Sequence, residues 1–272
     1  MRQRRVSGID ERLAVYAELI LCQCSAEDCV AEVGRDIESS QRPDVPLRWY
    51  QRCSPRYAIP EGYDRVYVEF GCGRGSFINS MAAEDPEGLY IGIEGCKTII
   101  ISAIEKTRSA GLQNVRYIDA FVNDAASAFA ECSLAGVFLN FSDPWPKDRH
   151  ADRRLTAPAK AESYFHILKP SGFASVKTDH EALFKYSLDT FAGAGFHIEI
   201  FTRDLAGSAG HAGPVDHADP AARSTGAASE PGQAANTKAA DASMRAAATP
   251  TEYEKRFRSL GQRIFYFKAR RP

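Results

Sequence analysis

Residues 66–75 read Val-Tyr-Val-Glu-Phe-Gly-Cys-Gly-Arg-Gly, an apolar run around one carboxylate that passes directly into alternating glycines. Such a run predicts a short buried strand, and the glycines predict a tight turn into a following helix. Four further apolar runs along the chain also close on an acid, with helix-like segments between them. The five acids are Glu69, Glu94, Asp119, Asp143 and Asp179.

This alternation of strands and helices predicts an α/β domain built on a mostly parallel sheet. Parallel strands end at one edge of their sheet, and ligands bind in the crevice outside that edge. We therefore expect the five acids to line one cleft. A single acid after a strand more often marks a turn, but five in succession favour the cleft.

The pattern predicts seven strands, at residues 66–70, 89–93, 115–118, 136–141, 173–176, 196–201 and 264–267. It predicts helices at residues 11–24, 76–84, 98–110, 157–168, 183–191 and 251–260. These predicted elements divide the chain into four regions. They are an N-terminal basic arm, short helix and irregular covering segment (1–63), the core (64–205), a disordered insertion (206–250) and a closing helix and strand of the core (251–272). The insertion holds 16 alanines and no aromatic residue, so we expect it to offer a helix no face to bury.

The composition limits the possible classes of protein. A chain of 272 residues with 44% hydrophobic content can form one domain with appendages. A net charge of −1 gives no overall attraction to nucleic acid, so a polyanion site must come from a local cluster of cations. Seven cysteines and the lack of a secretory signal or long apolar run predict a cytoplasmic protein with reduced thiols and no membrane span. Zinc binding by Cys22, Cys24, Cys29 and Cys53 is the less favoured alternative, because they lack the usual paired spacing.

The turn after the first strand has the pattern E-x-G-x-G-x-G, formed by Glu69, Gly71, Gly73 and Gly75. Glycine permits positive φ and lets the backbone approach a ligand closely. The pattern differs from the dinucleotide fingerprint G-x-G-x-x-G and resembles motif I of class I S-adenosylmethionine-dependent methyltransferases. The resemblance implies a Rossmann-like class I methyltransferase fold, with a seven-stranded sheet, helices on both faces and an antiparallel last strand. It also implies S-adenosylmethionine as cofactor.

Two further acids fit such a cofactor. Glu94 ends the second strand 19 residues after Gly75, where a carboxylate can accept hydrogen bonds from both ribose hydroxyls. Asp119 ends the third strand, where it can accept a hydrogen bond from the exocyclic amine of adenine. A turn or helix cap is the alternative for Asp119.

The fourth strand leads into Asn-Phe-Ser-Asp-Pro-Trp-Pro-Lys at residues 140–147. Two prolines stiffen the backbone around Trp145, whose flat face can stack on a base. Asp143 is then expected beside the point of methyl transfer. Four Lys and Arg residues lie between 147 and 154 and form either a solvated face or a phosphate clamp. Their place beside the cleft of a nearly neutral protein favours the clamp.

A closer resemblance rests on segments spread along the chain. They are Ser142 to Lys147, His150, Arg153-Arg154, Lys177-Thr178-Asp179, Thr251-Glu252-Tyr253-Glu254 and the basic opening Met1-Arg2-Gln3-Arg4. In this order they are similar to the bacterial tRNA (guanine-N7-)-methyltransferase family, over roughly residues 64–204 and 249–269. The Pro-Trp-Pro-Lys motif with its basic tail is far more specific than the glycine turn.

This resemblance implies an enzyme that forms N7-methylguanosine in tRNA, at guanine 46 of the variable loop, by direct in-line methyl transfer without a metal. It implies cofactor contacts by Glu69, Gly71, Gly73, Gly75, Glu94, Asp119 and Asp143, with Asp143 also the catalytic residue. It implies substrate contacts by Lys147, Arg153, Arg154, Asp179, Thr251, Glu252, Tyr253 and Glu254. The partner is tRNA, and the enzyme is expected to be a monomer or a homodimer.

Two departures from the family weaken parts of this interpretation. Asp148 stands where the family commonly has a second basic residue, and the insertion is longer than the usual connection. Two alternatives stay open. One is a class I methyltransferase that acts on an amino group of another nucleic acid or of a protein, and the other is an inactive RNA-binding relative.

Overall fold

The computed structural model of the protein describes residues 8–21, 57, 59–121, 128–205 and 235–272. Its strands are β1 Val66–Phe70, β2 Leu89–Ile93, β3 Val115–Ile118, β4 Leu134–Asn140, β5 Leu168–Thr178, β6 His197–Thr202 and β7 Phe265–Arg270. Its α-helices, in the described part of the chain, are α1 Ile9–Ala14, α2 Ser76–Glu84, α3 Lys97–Ser109, α4 Pro158–Ile167, α5 Glu181–Gly193, α6 Ala235–Ala248 and α7 Glu252–Ser259. Two short 3-10 helices span Ala17–Leu19 and Asp148–Arg153.

The strands form one sheet in the order β3-β2-β1-β4-β5-β7-β6. Strands β1 to β5 pair in parallel, whereas β7 runs antiparallel to both β5 and β6. The strand order reverses between β1 and β4, which is where open α/β sheets bind ligands. The predicted seven-stranded, mostly parallel sheet with an antiparallel last strand is confirmed.

Strand β1 shows how the layers form. Val66, Val68 and Phe70 pack into the core on the face covered by α4 and α5. Tyr67 packs into the core on the opposite face, with α2, α3 and α6. Successive side chains of a strand point to opposite faces, so a strand covered on both faces is apolar throughout. The predicted helices on both faces are therefore confirmed.

The predicted helix at residues 11–24 is wrong in extent. The chain forms α1 and then the 3-10 helix Ala17–Leu19, after which Ile20 makes a bridge with Tyr117. The backbone amide of Leu21 donates to the Tyr117 carbonyl oxygen at 2.8 Å. Strand β3 lies at the edge of the sheet, so its outer backbone groups are not paired with another strand. Hydrogen bonds to these groups favour an extended conformation of this segment over a longer helix.

Four strands differ from their predicted bounds, β4 and β6 by one or two residues at each end and β5 and β7 by more. Strand β5 begins at Leu168, directly after α4, and so includes the Lys169 to Gly172 segment that was expected to be a break. Strand β7 continues to Arg270, because its pairing with β5 extends to Phe173. Proline and glycine are tolerated near the start of β5, where the register with β4 shifts.

The prediction of a disordered insertion at 206–250 is wrong for its last part. Helix α6 forms there and lies against β4, β5 and α2, with Ala242 and Ala246 fully buried. Their small side chains let the helix backbone approach the sheet, so a buried face needs no large aliphatic residue. Arg245 also reaches Asp85, with 3.1 Å between Nη2 and Oδ2. Residues 206–234 lie outside the described residues, as do residues 1–7 and 22–56.

Within the described ranges, no helix combines the length and the apolar character that a membrane crossing needs.

Candidate active site

A cleft of about 1010 Å³ lies at the carboxyl ends of β1, β2 and β4. The last residues of these strands, Phe70, Ile93 and Asn140, form part of its wall. The glycine turn after β1, the loop after β4 and the start of α7 complete it. The cleft therefore occupies the position where the strand order reverses.

Most of the predicted site residues meet in this cleft. Those that line it are Glu69, Gly71, Gly73, Gly75, Glu94, Asp143, Arg153, Thr251, Glu252 and Tyr253. Among the described residues, those that do not are Asp119, Lys147, Arg154, Asp179 and Glu254. The expectation that five strand-end acids share one cleft is thus wrong for two of them.

Glu69 and Asn140 form a buried polar floor. Glu69 is 3% exposed, and its Oε1 accepts a hydrogen bond of 2.9 Å from Asn140 Nδ2. Glu69 Oε2 and Asn140 Oδ1 are buried and have no hydrogen-bond partner among the described residues. Burial raises the pKa of Glu69 to about 8, although Asn140 and Lys177 partly offset it. Buried acceptors without partners are costly, so this floor fits a ligand that donates hydrogen bonds or carries positive charge.

The glycines of the turn differ in their roles. A Cβ on Gly75 would lie 2.6 Å from Ala103 Cβ, so the bare glycine lets α2 start close against α3. Gly73 has a φ of +55° and nothing within 4 Å of the position where a Cβ would stand. Gly73 thus leaves backbone open for a ligand, whereas Gly75 mainly serves the packing of the helices.

Glu94 is fixed at the start of α3. Its Oε1 accepts a hydrogen bond of 2.9 Å from the backbone amide of Cys96, the residue that precedes the helix. The carboxylate is therefore held at the cleft wall, and its second oxygen accepts no hydrogen bond from the described part of the chain. This arrangement agrees with the predicted position of a group that accepts hydrogen bonds from a ligand.

Asp119 lies beside the cleft and not in its wall. Its Oδ2 is 3.8 Å from Lys97 Nζ, and partial burial raises the pKa of Asp119 against the effect of that ammonium. The next two residues, Ala120 and Phe121, line the cleft instead. The adenine contact of Asp119 stays a prediction.

The loop after β4 has an unusual backbone that Arg154 holds in place. Phe141 and Trp145 have positive φ values of 51° and 40°. The Arg154 guanidinium donates to the carbonyl oxygens of Pro144 and Trp145, with Nη2 at 3.0 Å from the latter. It also stacks on the Tyr186 ring at 4.3 Å. The folded loop uses the Nε and Nη2 groups of Arg154, and its predicted phosphate contact stays a prediction.

Arg153, by contrast, faces the cleft. Its guanidinium carbon lies 5.2 Å from the centre of the Trp145 ring, and His150 approaches the same ring edge-on at 5.7 Å. Arg153 and Trp145 both line the cleft, so a cation and an aromatic surface stand together at its rim. The phosphate contact of Arg153 and the base contact of Trp145 stay predictions, and both residues lie where such contacts can form.

Glu254 lies inside the protein. Its side chain is fully buried and pairs with the equally buried Lys177, with 2.9 Å between Oε2 and Nζ, and with Arg258. Lys177 Nζ also donates to the Thr249 carbonyl oxygen at 2.8 Å. Burial lowers the pKa of Lys177, and Glu254 offsets part of this effect. The predicted substrate contact of Glu254 is therefore corrected, because its carboxylate is enclosed by β5 and α7.

Of the other residues of that segment, Glu252 and Tyr253 are exposed, whereas Thr251 is buried. The Thr251 hydroxyl caps α7 by accepting from the Glu254 amide at 2.9 Å. Glu252 accepts from the Ser76 hydroxyl and from Lys106 Nζ, the latter at 2.7 Å, and so ties α7 to α2 and α3. Tyr253 is 58% exposed and lies parallel to Phe141, with ring centres 6.3 Å apart.

Two predicted residues and four unpredicted ones remain. Lys147 and Asp179 are exposed outside the cleft wall, and their substrate contacts stay predictions. Four charged residues line the cleft without having been predicted: Arg74, Asp152, Lys160 and Arg256. Arg256 follows Glu252 by four residues, a spacing that places both on one helix face, so the sequence held a signal for it.

The sequence is similar to those of known enzymes. A family model described as "Putative methyltransferase" matches residues 64–210. The chain is 33% identical over 204 residues to the tRNA (guanine-N(7)-)-methyltransferase of Brevibacillus brevis, covering 75% of this chain and 79% of that protein. It is 32% identical over 231 residues to the protein of the same name from Geobacillus thermodenitrificans, covering 80% and 91%.

A solved structure described as an antibiotic-related methyltransferase is similar with a TM-score of 0.48 and 17% identity, covering 77% of this chain and 88% of that one.

Proposed function

Because the chain belongs to the family of tRNA (guanine-N(7)-)-methyltransferases, we propose that it methylates the N7 atom of a guanine in tRNA. The target we propose is guanine 46 in the variable loop, as the family resemblance implies. The observation that carries the proposal is that one cleft contains both an acidic cofactor site and a rim of aromatic and basic side chains. We expect the enzyme to act in the cytoplasm, as a monomer or a homodimer.

The cofactor site fits S-adenosylmethionine. The unpaired buried oxygens of Glu69 and Asn140 suit the ammonium group of its methionine part. The fixed carboxylate of Glu94 suits the ribose hydroxyls, and Gly73 leaves open backbone beside both. When bound, S-adenosylmethionine supplies a methyl group on a positively charged sulfur.

The chain's own residues then have to position the guanine. The N7 atom has an in-plane lone pair and no proton at neutral pH, so no residue needs to act as a general base. Alignment of the reacting atoms can lower a barrier by roughly 7–11 kcal/mol. Trp145 and Tyr253 offer aromatic surfaces for the base, and Arg153 offers a cation for its phosphate.

Asp143 has the electrostatic role. It lines the cleft on the loop that Arg154 holds, and in the sequence it lies between Asn140 of the floor and Trp145 of the rim. As positive charge passes from the sulfur to the purine, a fixed carboxylate nearby stabilises it. We therefore propose Asp143 as the catalytic residue.

One experiment tests this function. The purified protein is incubated with labelled S-adenosylmethionine and tRNA from cells that lack N7-methylguanosine, and digested RNA is analysed by mass spectrometry. We expect label at N7 of guanine 46. Label on an exocyclic amine, or on DNA or protein substrates but not on tRNA, would instead support an amino-methyltransferase. Binding of tRNA without any transfer would identify an inactive relative.

A further inference from the structure

Among the described residues, four cations line the cleft, and they come from three separate segments. Arg74 lies in the glycine turn, Arg153 and Lys160 lie in the segment that leads into and forms α4, and Arg256 lies on α7. The sequence had predicted a phosphate contact only for Arg153 among these four. The others therefore need an explanation.

Arg74 and Arg256 form no ion pair with an acid of the described part of the chain. Both are exposed, and within the described ranges neither side chain forms a hydrogen bond or an ion pair. Glu252 lies one helical turn before Arg256, and Lys106 and Ser76 already bind it. The pKa of Glu252 is lowered, chiefly by the hydrogen bond from Lys106 and to a lesser degree by the charge of Arg74. Arg74 therefore stands near the start of α7, and this corner of the cleft carries excess positive charge.

Other arginines of the region show the contrast. The guanidinium of Arg154 is used by the carbonyl oxygens of the loop after β4, and that of Arg258 is used by Glu254. The hydrogen-bond donors of Arg154 and Arg258 are thus occupied within the fold, at least in part. The donors of Arg74 and Arg256 are available at the cleft. A guanidinium offers a planar fork of N–H groups that matches the oxygens of a phosphate.

The cations occupy two sides of the cleft. Arg153 and Lys160 adjoin α4, which covers one face of the sheet. Arg74 directly precedes α2, and Arg256 lies on the helix that Glu252 ties to α2 and α3, which cover the other face. A nucleotide within an RNA strand carries a phosphodiester on each side of its ribose, so a base that enters this cleft has two phosphates to place.

We propose that Arg74 and Arg256 form a second phosphate-binding site, which holds a phosphodiester of the tRNA on the side of the cleft opposite Arg153. This inference rests on the proposed function, since it takes RNA as the substrate. With a phosphate held on each side, the target base is directed between the aromatic rim and the cofactor.

The test removes these charges in the full-length chain. The variants are Arg74→Gln, Arg256→Gln and the double variant, and Lys255→Gln is the matched control. Lys255 is exposed on the same helix as Arg256 but does not line the cleft. Binding of unmodified tRNA is measured by fluorescence anisotropy at several salt concentrations, and S-adenosylmethionine binding is measured by calorimetry.

We expect each arginine variant to weaken tRNA binding on the order of tenfold and to reduce the slope of log K against log salt by about 1, so by about 2 for the double variant. The control should keep the wild-type slope, and all variants should bind S-adenosylmethionine as the wild type does. A double variant with the wild-type salt slope would overturn the inference. So would weaker cofactor binding by Arg74→Gln with an unchanged slope, because Arg74 would then contact the cofactor's carboxylate. Failure of the proposed function shows separately, as wild-type protein that leaves tRNA guanines unmethylated.

Discussion

Glu254→Gln should destabilise the protein without changing the cleft directly. The substitution keeps the shape of the side chain but removes the charge that faces Lys177, whose ammonium is fully buried. Lys177 would keep its hydrogen bond to the Thr249 carbonyl oxygen but lose its counter-charge. Arg258, which is 38% exposed, can turn to water, whereas Lys177 cannot.

The expected magnitude follows from this burial. Removal of one partner of a buried ion pair costs about 3–5 kcal/mol, because the remaining charge stays out of water. For a protein of this size, 1 kcal/mol corresponds to roughly 2–4 °C in melting temperature, so the melting temperature should fall by roughly 10 °C. The matched control is Glu252→Gln, whose pair with Lys106 is 48% and 43% exposed. An exposed pair contributes about 1 kcal/mol at most.

Thermal melts followed by circular dichroism measure the stability of both variants. S-adenosylmethionine affinity, measured by calorimetry below the transition, should not change in Glu254→Gln. Replacement of both partners, as Lys177→Met with Glu254→Leu, should recover much of the lost stability. If Glu254→Gln melts like the wild type while the Michaelis constant for tRNA rises, Glu254 contacts substrate and our account of the buried pair is wrong.

Three further predictions concern the cleft. Glu94→Ala should weaken S-adenosylmethionine binding by about 1.5–3 kcal/mol through loss of charge-assisted hydrogen bonds, and calorimetry showing unchanged affinity would remove Glu94 from the cofactor site. Asp143→Asn should bind both ligands but react more slowly in single turnovers with both saturating; a near-normal rate would mean that Asp143 binds and does not catalyse. Burial raises the pKa of Glu69 from its ordinary 4.5 to about 8, so the folded protein holds a proton there that the unfolded chain releases. Between these values the stability of the ligand-free protein should fall as pH rises, by at most about 1.4 kcal/mol per pH unit. Glu69→Gln should flatten this dependence in urea titrations at pH 5.5 and 7.5, and equal slopes for both proteins would contradict it.

The sheet could be predicted from the sequence because its signals are local. Strands buried on both faces read as short apolar runs, Gly71 marks the end of β1, and Pro86 marks the end of α2. The acids Glu69, Glu94 and Asp143 could be placed for the same reason, since each lies at or just after a strand end. Position along a strand fixes the edge of the sheet at which a residue appears.

The roles of charged side chains could not be predicted in this way. Arg153 and Arg154 are neighbours in the sequence, yet one faces the cleft and the other binds carbonyl oxygens of the loop. One of those carbonyl oxygens belongs to Trp145, whose positive φ is not evident from the sequence. Glu254 finds Lys177 only because β5 and α7, 77 residues apart at this contact, pack together. Helix α6 was not predicted, because alanine side chains form a buried helix face only when the sheet lies close to the helix backbone, and the sequence does not show this distance.

The anchoring of α7 explains how a segment that follows a long insertion can still form an accurate cleft wall. From inside, the buried pair of Glu254 and Lys177 fixes the helix to β5. From outside, Glu252 fixes its first turn to Ser76 and Lys106. Helix α6 precedes α7 in the chain and packs on the sheet, so it places the start of α7 near the cleft. The closure cost of a connection grows by only about 0.6 kcal/mol for each doubling of its length. The position of Tyr253 and Arg256 in the cleft is therefore set by these contacts and depends little on the number of residues between β6 and α6.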